Sequence, residues 1–368
     1  MRVLVTARRI LSPDSRYDSI VHKSQTVDSR LTNEPLELNG TVIPPGKRET
    51  RFIPVSRRYT AGEVSLPVCV VHGRKPGPRL FVSAAIHGDE INGVEIIRRL
   101  LKRANPSKLC GALIAVPVVN VYGFVGQTRY LPDRRDLNRC FPGSAKGSLA
   151  ARLANTFMTE VVKKATHGID LHTGSLHRAN LPQIRTSLAS PENERLAQSF
   201  GAPVIMDTAL RPGSLRESVN KLGIPIVVYE AGEALRFDEI AIRAGLQGVL
   251  SVMRDLEMLP QVKTKSRRVE PFVAHGSTWV RAPESGILVT RLKLGARIEK
   301  GQVLGFISDP LGEEELPILS PTDGVLIGCT NLPLMNEGDA IFHIGVFESL
   351  EPAADEVDFF QDVLDPDT

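Results

Sequence analysis

Between about residues 63 and 260 of this chain, short runs of apolar residues alternate with longer segments in which apolar positions recur at helical spacing. VSLPVCVVHG, PRLFVSAAIH, GALIAVPVVN, GIDLH, APVIMDT and IPIVVYEAG predict buried strands. INGVEIIRRLLKRA, LAARLANTFMTEVVKKA and FDEIAIRAGLQGVLSVMRDLEML predict helices, as does a segment with Ser190 as N-cap and Pro191 in its first turn. Buried strands regularly followed by helices imply an α/β domain around a largely parallel sheet.

The pattern changes after a polar, basic stretch, QVKTKSRRVEP at residues 261–271, which predicts a linker. Beyond it lies an imperfect internal repeat: APESGILV with RIEKGQVLGFI, then SPTDGVLI with MNEGDAIFHI, so that Gly286 recurs as Gly324 and Gly301 as Gly338. Two interlocking copies of short β-segments make a small closed β-barrel or sandwich, which resembles the biotinyl/lipoyl type. Carriers of that type hold their cofactor on a lysine between the halves. Here that place reads ISDPLGEEEL, with no lysine after Lys300, so a structural or capping module is expected instead of a swinging arm.

The expected organisation is therefore a basic N-terminal extension at residues 1–33, a main domain at 34–265, the β-barrel at 266–347 and an acidic tail at 348–368. A length of 368 residues accommodates two cores. Both ends are expected to be solvated: Arg2, Arg8, Arg9, Arg16, Lys23 and Arg30 face three aspartates in the extension, and the tail lacks lysine and arginine. An apolar fraction of 42% without a bilayer-length apolar run excludes a membrane span, and a net charge of +3 is too small to imply nucleic acid. Arginines interrupt the first apolar run, which speaks against a secretory leader, and Cys69, Cys110, Cys140 and Cys329 form no CxxC pair. A cytoplasmic protein with free thiols is expected.

The candidate chemistry sits at strand ends. A catalytic zinc needs three neutral or anionic ligands and an open position for water, whose pKa then falls to about 7. His87 and Glu90 stand in HGDE between a strand and a helix, spaced to turn toward one point at the C-terminal edge of the sheet, with Gly88 leaving room. An HxxE match alone is weak, but GIDLH delivers His172 to a strand end as a third ligand, ahead of the rivals His167 and His177. IPIVVYEAG likewise ends a buried strand near Glu230, a carboxylate that is costly there unless it serves a metal site or an ion pair. RYLPDRRDLNRCFPG concentrates anion-binding groups, Arg129, Arg134, Arg135, Asn138 and Arg139, among packing residues; the plain alternative is a solvated basic loop.

Taken together, HGDE, TRYLPD, RDLNRCFPG, DLH and the Glu after an apolar strand resemble the succinylglutamate desuccinylase/aspartoacylase family of carboxypeptidase-like zinc hydrolases, over roughly residues 34–347. The resemblance implies an open mixed sheet with flanking helices, one zinc per chain on His87, Glu90 and His172, and Glu230 as general base. It also implies that Arg129 polarises the scissile carbonyl and that Asn138 and Arg139, with Arg135 close by, bind a substrate carboxylate. Arg216, in RPGSLRES, is similar in position to an arginine that reads the acyl side. Two departures stand out: Asn120-Val121 where relatives often carry Asn-Pro, and Arg134 where they carry Gly. The expected activity is deacylation of a small N-acyl amino acid or related amide bearing a carboxylate, with assembly into a homo-oligomer left open. The alternatives are a zinc carboxypeptidase acting on peptides, separable by assaying dipeptides beside N-acetyl amino acids, and a non-catalytic zinc-binding protein, which would bind metal without turnover.

Overall fold

The computed structural model of the protein describes residues 33–262 and 270–364. The basic extension up to residue 32, most of the linker and the last four residues lie outside the described residues. The described residues belong to one compact unit, and no helix among them is long and apolar enough to cross a membrane.

The central strands form because each is apolar on both faces. Lys75–Ala84, Cys110–Val116, His167–Gly174 and Ile226–Glu233 lie side by side and pair in parallel. Successive side chains in a strand point to opposite faces. Leu80, Val82 and Ala84 accordingly pack with Ile96, Leu100, Phe200 and Val249, from the helices Asn92–Arg103, Pro191–Phe200 and Glu239–Asp255. Phe81, Ile114 and Ile226 face Leu153, Phe157 and Val219, from Leu149–Glu160 and Leu215–Asn220. Helices thus cover both faces, as the alternating pattern predicts. Ser190 caps its helix, its hydroxyl accepting from the Asn193 N–H at 3.3 Å, with Pro191 in the first turn.

The sheet is mixed. Antiparallel strands extend it on both sides of the parallel centre: Glu63–His72 and Arg48–Arg57 on one, and Arg178–Thr186, beside the Glu230 strand, on the other.

The C-terminal strands do not form the expected closed barrel. Gly324–Thr330 pairs with Arg178–Thr186 and is followed by Ala340–Val346 and Gly276–Arg281, so these three strands continue the large sheet. Four others, Gly286–Val289, Val303–Ser308, Glu315–Leu319 and Leu334–Met335, make a separate open sheet. One apolar cluster, including Val280, Leu288, Leu304, Ile318, Phe342 and Ile344, draws on both sheets. The repeat is visible in the backbone: Gly301 and Gly338 turn with φ of 81° and 82°, values that favour glycine. The acidic tail is not simply solvated. Leu350–Leu364 is a helix that buries Ala353, Val357, Phe360 and Leu364, and the buried Glu356 accepts a hydrogen bond from the Glu270 N–H.

Candidate active site

His87 and Glu90 lie in the turn that leaves strand Lys75–Ala84 and enters helix Asn92–Arg103, closed by a Glu90 N–H to His87 carbonyl bond of 3.1 Å. This turn packs on the short helix Val121–Val125. A Cβ on Gly88 would lie 1.9 Å from the Gly123 carbonyl carbon and 2.1 Å from the Phe124 nitrogen, so only a glycine admits that approach. Gly88→Ala is expected to lose about 3 kcal/mol of stability through overpacking and to displace both side chains. Urea unfolding with metal analysis checks this; unchanged values for both would mean the short helix yields freely.

His172 comes from the end of strand His167–Gly174, and the three side chains meet in the interior. His87 Nδ1 is 2.6 Å from Glu90 Oε1, and His172 Nδ1 is 2.7 Å from Glu90 Oε2. All three residues are at most 5% exposed. Burial opposes ionisation of Glu90, but the two imidazoles outweigh it and hold its carboxyl well below the usual range. Burial likewise opposes charge on His87 and His172, and the surrounding carboxylates overcome it, raising both rings. Positive charge is therefore favoured in this cluster. Two imidazole nitrogens and a carboxylate oxygen within 4.8 Å of one another are a donor set that suits zinc, and a bound cation would take the place of imidazole protons.

The outer nitrogens have partners that sequence reading missed. Asp170 Oδ2 is 2.8 Å from His172 Nε2, while its other oxygen accepts from the Ser83 hydroxyl at 2.8 Å. Asp136 Oδ1 is 3.2 Å from His87 Nε2. Such carboxylates orient metal-binding histidines and raise their basicity. The Asp-x-His spacing of GIDLH, which puts both side chains on one strand face, was the available signal. Asp170→Asn is expected to weaken metal binding about 10- to 100-fold with the fold intact, measurable by chelator competition; unaltered affinity would remove Asp170 from this role.

Around this centre lies a cavity of about 460 Å³. Arg129 lines it, donating to Glu90 Oε1 at 3.3 Å and to Asp136 Oδ2 at 3.0 Å. The side chain of Asn120 accepts from the Gly123 N–H and donates to the Arg129 carbonyl, fixing that stretch. Val121 is the first residue of the short helix, a position that tolerates proline, so the departure from Asn-Pro is conservative. Asn138 and Arg139 also line the cavity. The Asn138 side-chain oxygen accepts from the Leu215 N–H at 2.9 Å, leaving its amide nitrogen as the donor end. Arg216 lines it too, nine-tenths buried and bonded to the Thr208 hydroxyl and the Ala209 carbonyl. Burial first, then the neighbouring Arg185 charge, lowers its pKa to about 10.

Glu230 is the register partner of His172 across the parallel pair, which sets the two side chains next to each other on one face. Asn180 Nδ2 donates to Glu230 Oε2 at 2.8 Å, and Arg185 Nε lies 3.4 Å from Oε1. Neither Asn180 nor Arg185 was singled out from sequence. Arg135 is not brought in: its exposed guanidinium lies 3.7 Å from Asp133 and does not line the cavity. Nor does Arg134, an exposed residue with φ of 61°, a backbone state that explains a glycine there in relatives. His167 pairs with the Thr166 hydroxyl, and His177 lies in an exposed turn. Neither joins the cluster of His87, Glu90 and His172.

The family model described as the succinylglutamate desuccinylase/aspartoacylase catalytic domain matches residues 76–256. That stretch is a catalytic domain of the succinylglutamate desuccinylase/aspartoacylase family. Among curated members, an N-alpha-acetyl-L-2,4-diaminobutyric acid deacetylase from Halomonas elongata is 29% identical over 323 residues, covering 81% of this chain and 91% of that protein. The crystal structure of a succinylglutamate desuccinylase/aspartoacylase from Rhodobacter sphaeroides has 25% identity and a TM-score of 0.74, covering 82% of this chain and 96% of its own. The product-bound ectoine utilization protein EutE from Ruegeria pomeroyi, at 22% identity, shares the fold with a TM-score of 0.75 over 83% of this chain and 97% of its own. The mixed sheet with flanking helices is thus the fold of this desuccinylase/aspartoacylase family.

Proposed function

We propose that this protein is a zinc-dependent deacylase that hydrolyses the amide bond of a small N-acyl amino acid, with one zinc held by His87, Glu90 and His172. The observation that carries the reading is the convergence of two Nδ1 atoms on one buried carboxylate, with Glu230 in register beside His172. A bound zinc would supply Lewis acidity toward the amide carbonyl and toward water. Glu230 removes a proton from the attacking water and passes it to the leaving nitrogen; Asn180 and Arg185 hold its carboxylate for both transfers. Arg129 stabilises the charge that develops on the carbonyl oxygen, an effect typically worth a few kcal/mol per donor. Asn138 and Arg139 hold the substrate carboxylate, and Arg216 borders the acyl side.

The division of labour follows the chain. We assign the chemistry to residues 34–265, while the C-terminal strands contribute Trp279, Arg281 and Ala340 to the cavity wall. Metal analysis of the purified protein, followed by hydrolysis assays on a series of N-acetyl amino acids beside dipeptides, tests the reading. Bound zinc with turnover confined to the N-acetyl compounds is expected. Faster cleavage of dipeptides would make it a peptidase, and no turnover on either would remove the catalytic reading.

A further inference from the structure

The separate four-stranded sheet of the C-terminal part buries only one of its faces. Leu288, Leu304, Ile307 and Ile318 point inward, into the apolar cluster they share with Val280 and Phe342. The opposite face follows from the pairing: Val289 stands across from Phe306, Val303 from Leu319, and Ile287 from Leu334, and residues opposed in a ladder share a face. Val289, Val303, Phe306, Leu319 and Leu334 are between 38% and 63% exposed. One apolar face thus crosses all four strands and stays open to solvent. Single exposed apolar side chains need no explanation, but a contiguous face of them marks an interaction surface.

The two ends of this face carry opposite charge. At the end where Ser308 pairs with Glu315 stand the exposed Glu284, Glu313, Glu314, Glu315 and Glu337. At the other end, past Val289 and ahead of Val303, stand the exposed Arg291, Lys293 and Lys300. The ion pairs nearby are those of Arg297 with Glu299 and Glu351, and the Asp323 carboxylate accepts from the Lys300 N–H. Among the described residues the five glutamates and the three cations of the two ends are in no ion pair.

A partner for this face is therefore apolar in the middle, basic over the glutamates and acidic over the lysines. A second copy of the same face meets that description when its ends are exchanged, which a two-fold axis lying between the sheets and across the strands produces. A two-fold along the strands instead sets glutamates against glutamates. We propose that the protein forms a dimer in which two copies stack this face, the glutamate end of each lying on the Arg291–Lys300 end of the other. Stacked sheets lie about 10 Å apart, so each sheet gains a layer on its open side. The dimer is independent of the deacylase reading.

Light scattering on the full chain measures the mass of the particle and tests the arrangement. F306D is expected to show half the wild-type mass at equal concentration, because it puts a charge into the apolar middle. R291E/K293E/K300E has two acidic ends and E313K/E314K/E315K has none, so each alone is also expected at half the mass. Mixed in equal amounts, these two are expected to regain the wild-type mass, which also shows that both are folded. Added salt is expected to weaken the wild-type association, since the paired ends are at the surface. A wild-type mass no greater than that of F306D gives the face to some other partner and overturns the proposal. So does wild-type association by either triple variant alone, or indifference of the wild-type dimer to salt. A mixture of the two triple variants that does not associate, with each melting near the wild-type temperature, overturns it as well.

Discussion

Replacing His172 by alanine is expected to strip the protein of zinc and to reduce deacylation by roughly a thousandfold or more, since a Lewis acid contributes several kcal/mol to such a reaction. The size of the effect follows from the lack of a substitute. Among the described residues only His87, Glu90 and His172 form a metal-holding group. His177, five residues on, is fixed in a turn with φ of 64°, its N–H given to Glu233 and its carbonyl taken by Asn331 and Thr330. It cannot move inward without breaking all three bonds. Elemental analysis of the purified variant is the check; one zinc per chain retained in His172→Ala would sink the ligand assignment.

Glu230→Gln is expected to leave zinc content unchanged while kcat falls at least about a hundredfold, the range for removing a general base. Glutamine keeps the shape and the bond to Asn180 but cannot accept a proton. Its amide nitrogen, turned toward Arg185, also replaces an attraction across 3.4 Å with a mismatch of donors. Steady-state assays on zinc-loaded protein decide the matter: a kcat near that of the wild type would put the base elsewhere.

What the sequence discloses is governed by how local the cause is. Central strands and helices are legible because burial on two faces or one imposes a period on the residues themselves. Ser190 and Pro191 mark a helix start for an equally local reason. Strand Arg178–Thr186 escaped because Pro182 and its polar neighbours argue against a central strand. The structure accommodates them with a register irregularity between Asn180 and Gln183. With that strand went Asn180 and Arg185, the partners of Glu230. Within RYLPDRRDLNRCFPG the residue types gave the chemistry, but which arginines turn inward depends on loop geometry, and Arg134 and Arg135 turn away. The glycine repeat correctly marks matching turns, whereas closure of a barrel depends on which sheet edges find each other, a property no short stretch encodes. The helix Leu350–Leu364 shows the converse. Its apolar positions are spaced for one face, within a stretch whose excess of acidic residues has the composition of a solvated tail.

The pairing of Gly324–Thr330 with Arg178–Thr186 has a consequence for how this fold can be recombined. From Glu230 through Asn180 to Trp279, every step crosses one hydrogen-bonded sheet, so the two halves have no seam at which to be cut. A chimera that exchanges residues 270–364 with a relative exchanges an edge of the sheet that carries Glu230. The incoming piece must match the bulged register of Arg178–Thr186 before any new wall it brings can alter selectivity. Grafts of single wall residues onto this edge avoid that requirement, and they are the practical route to new specificity in this scaffold.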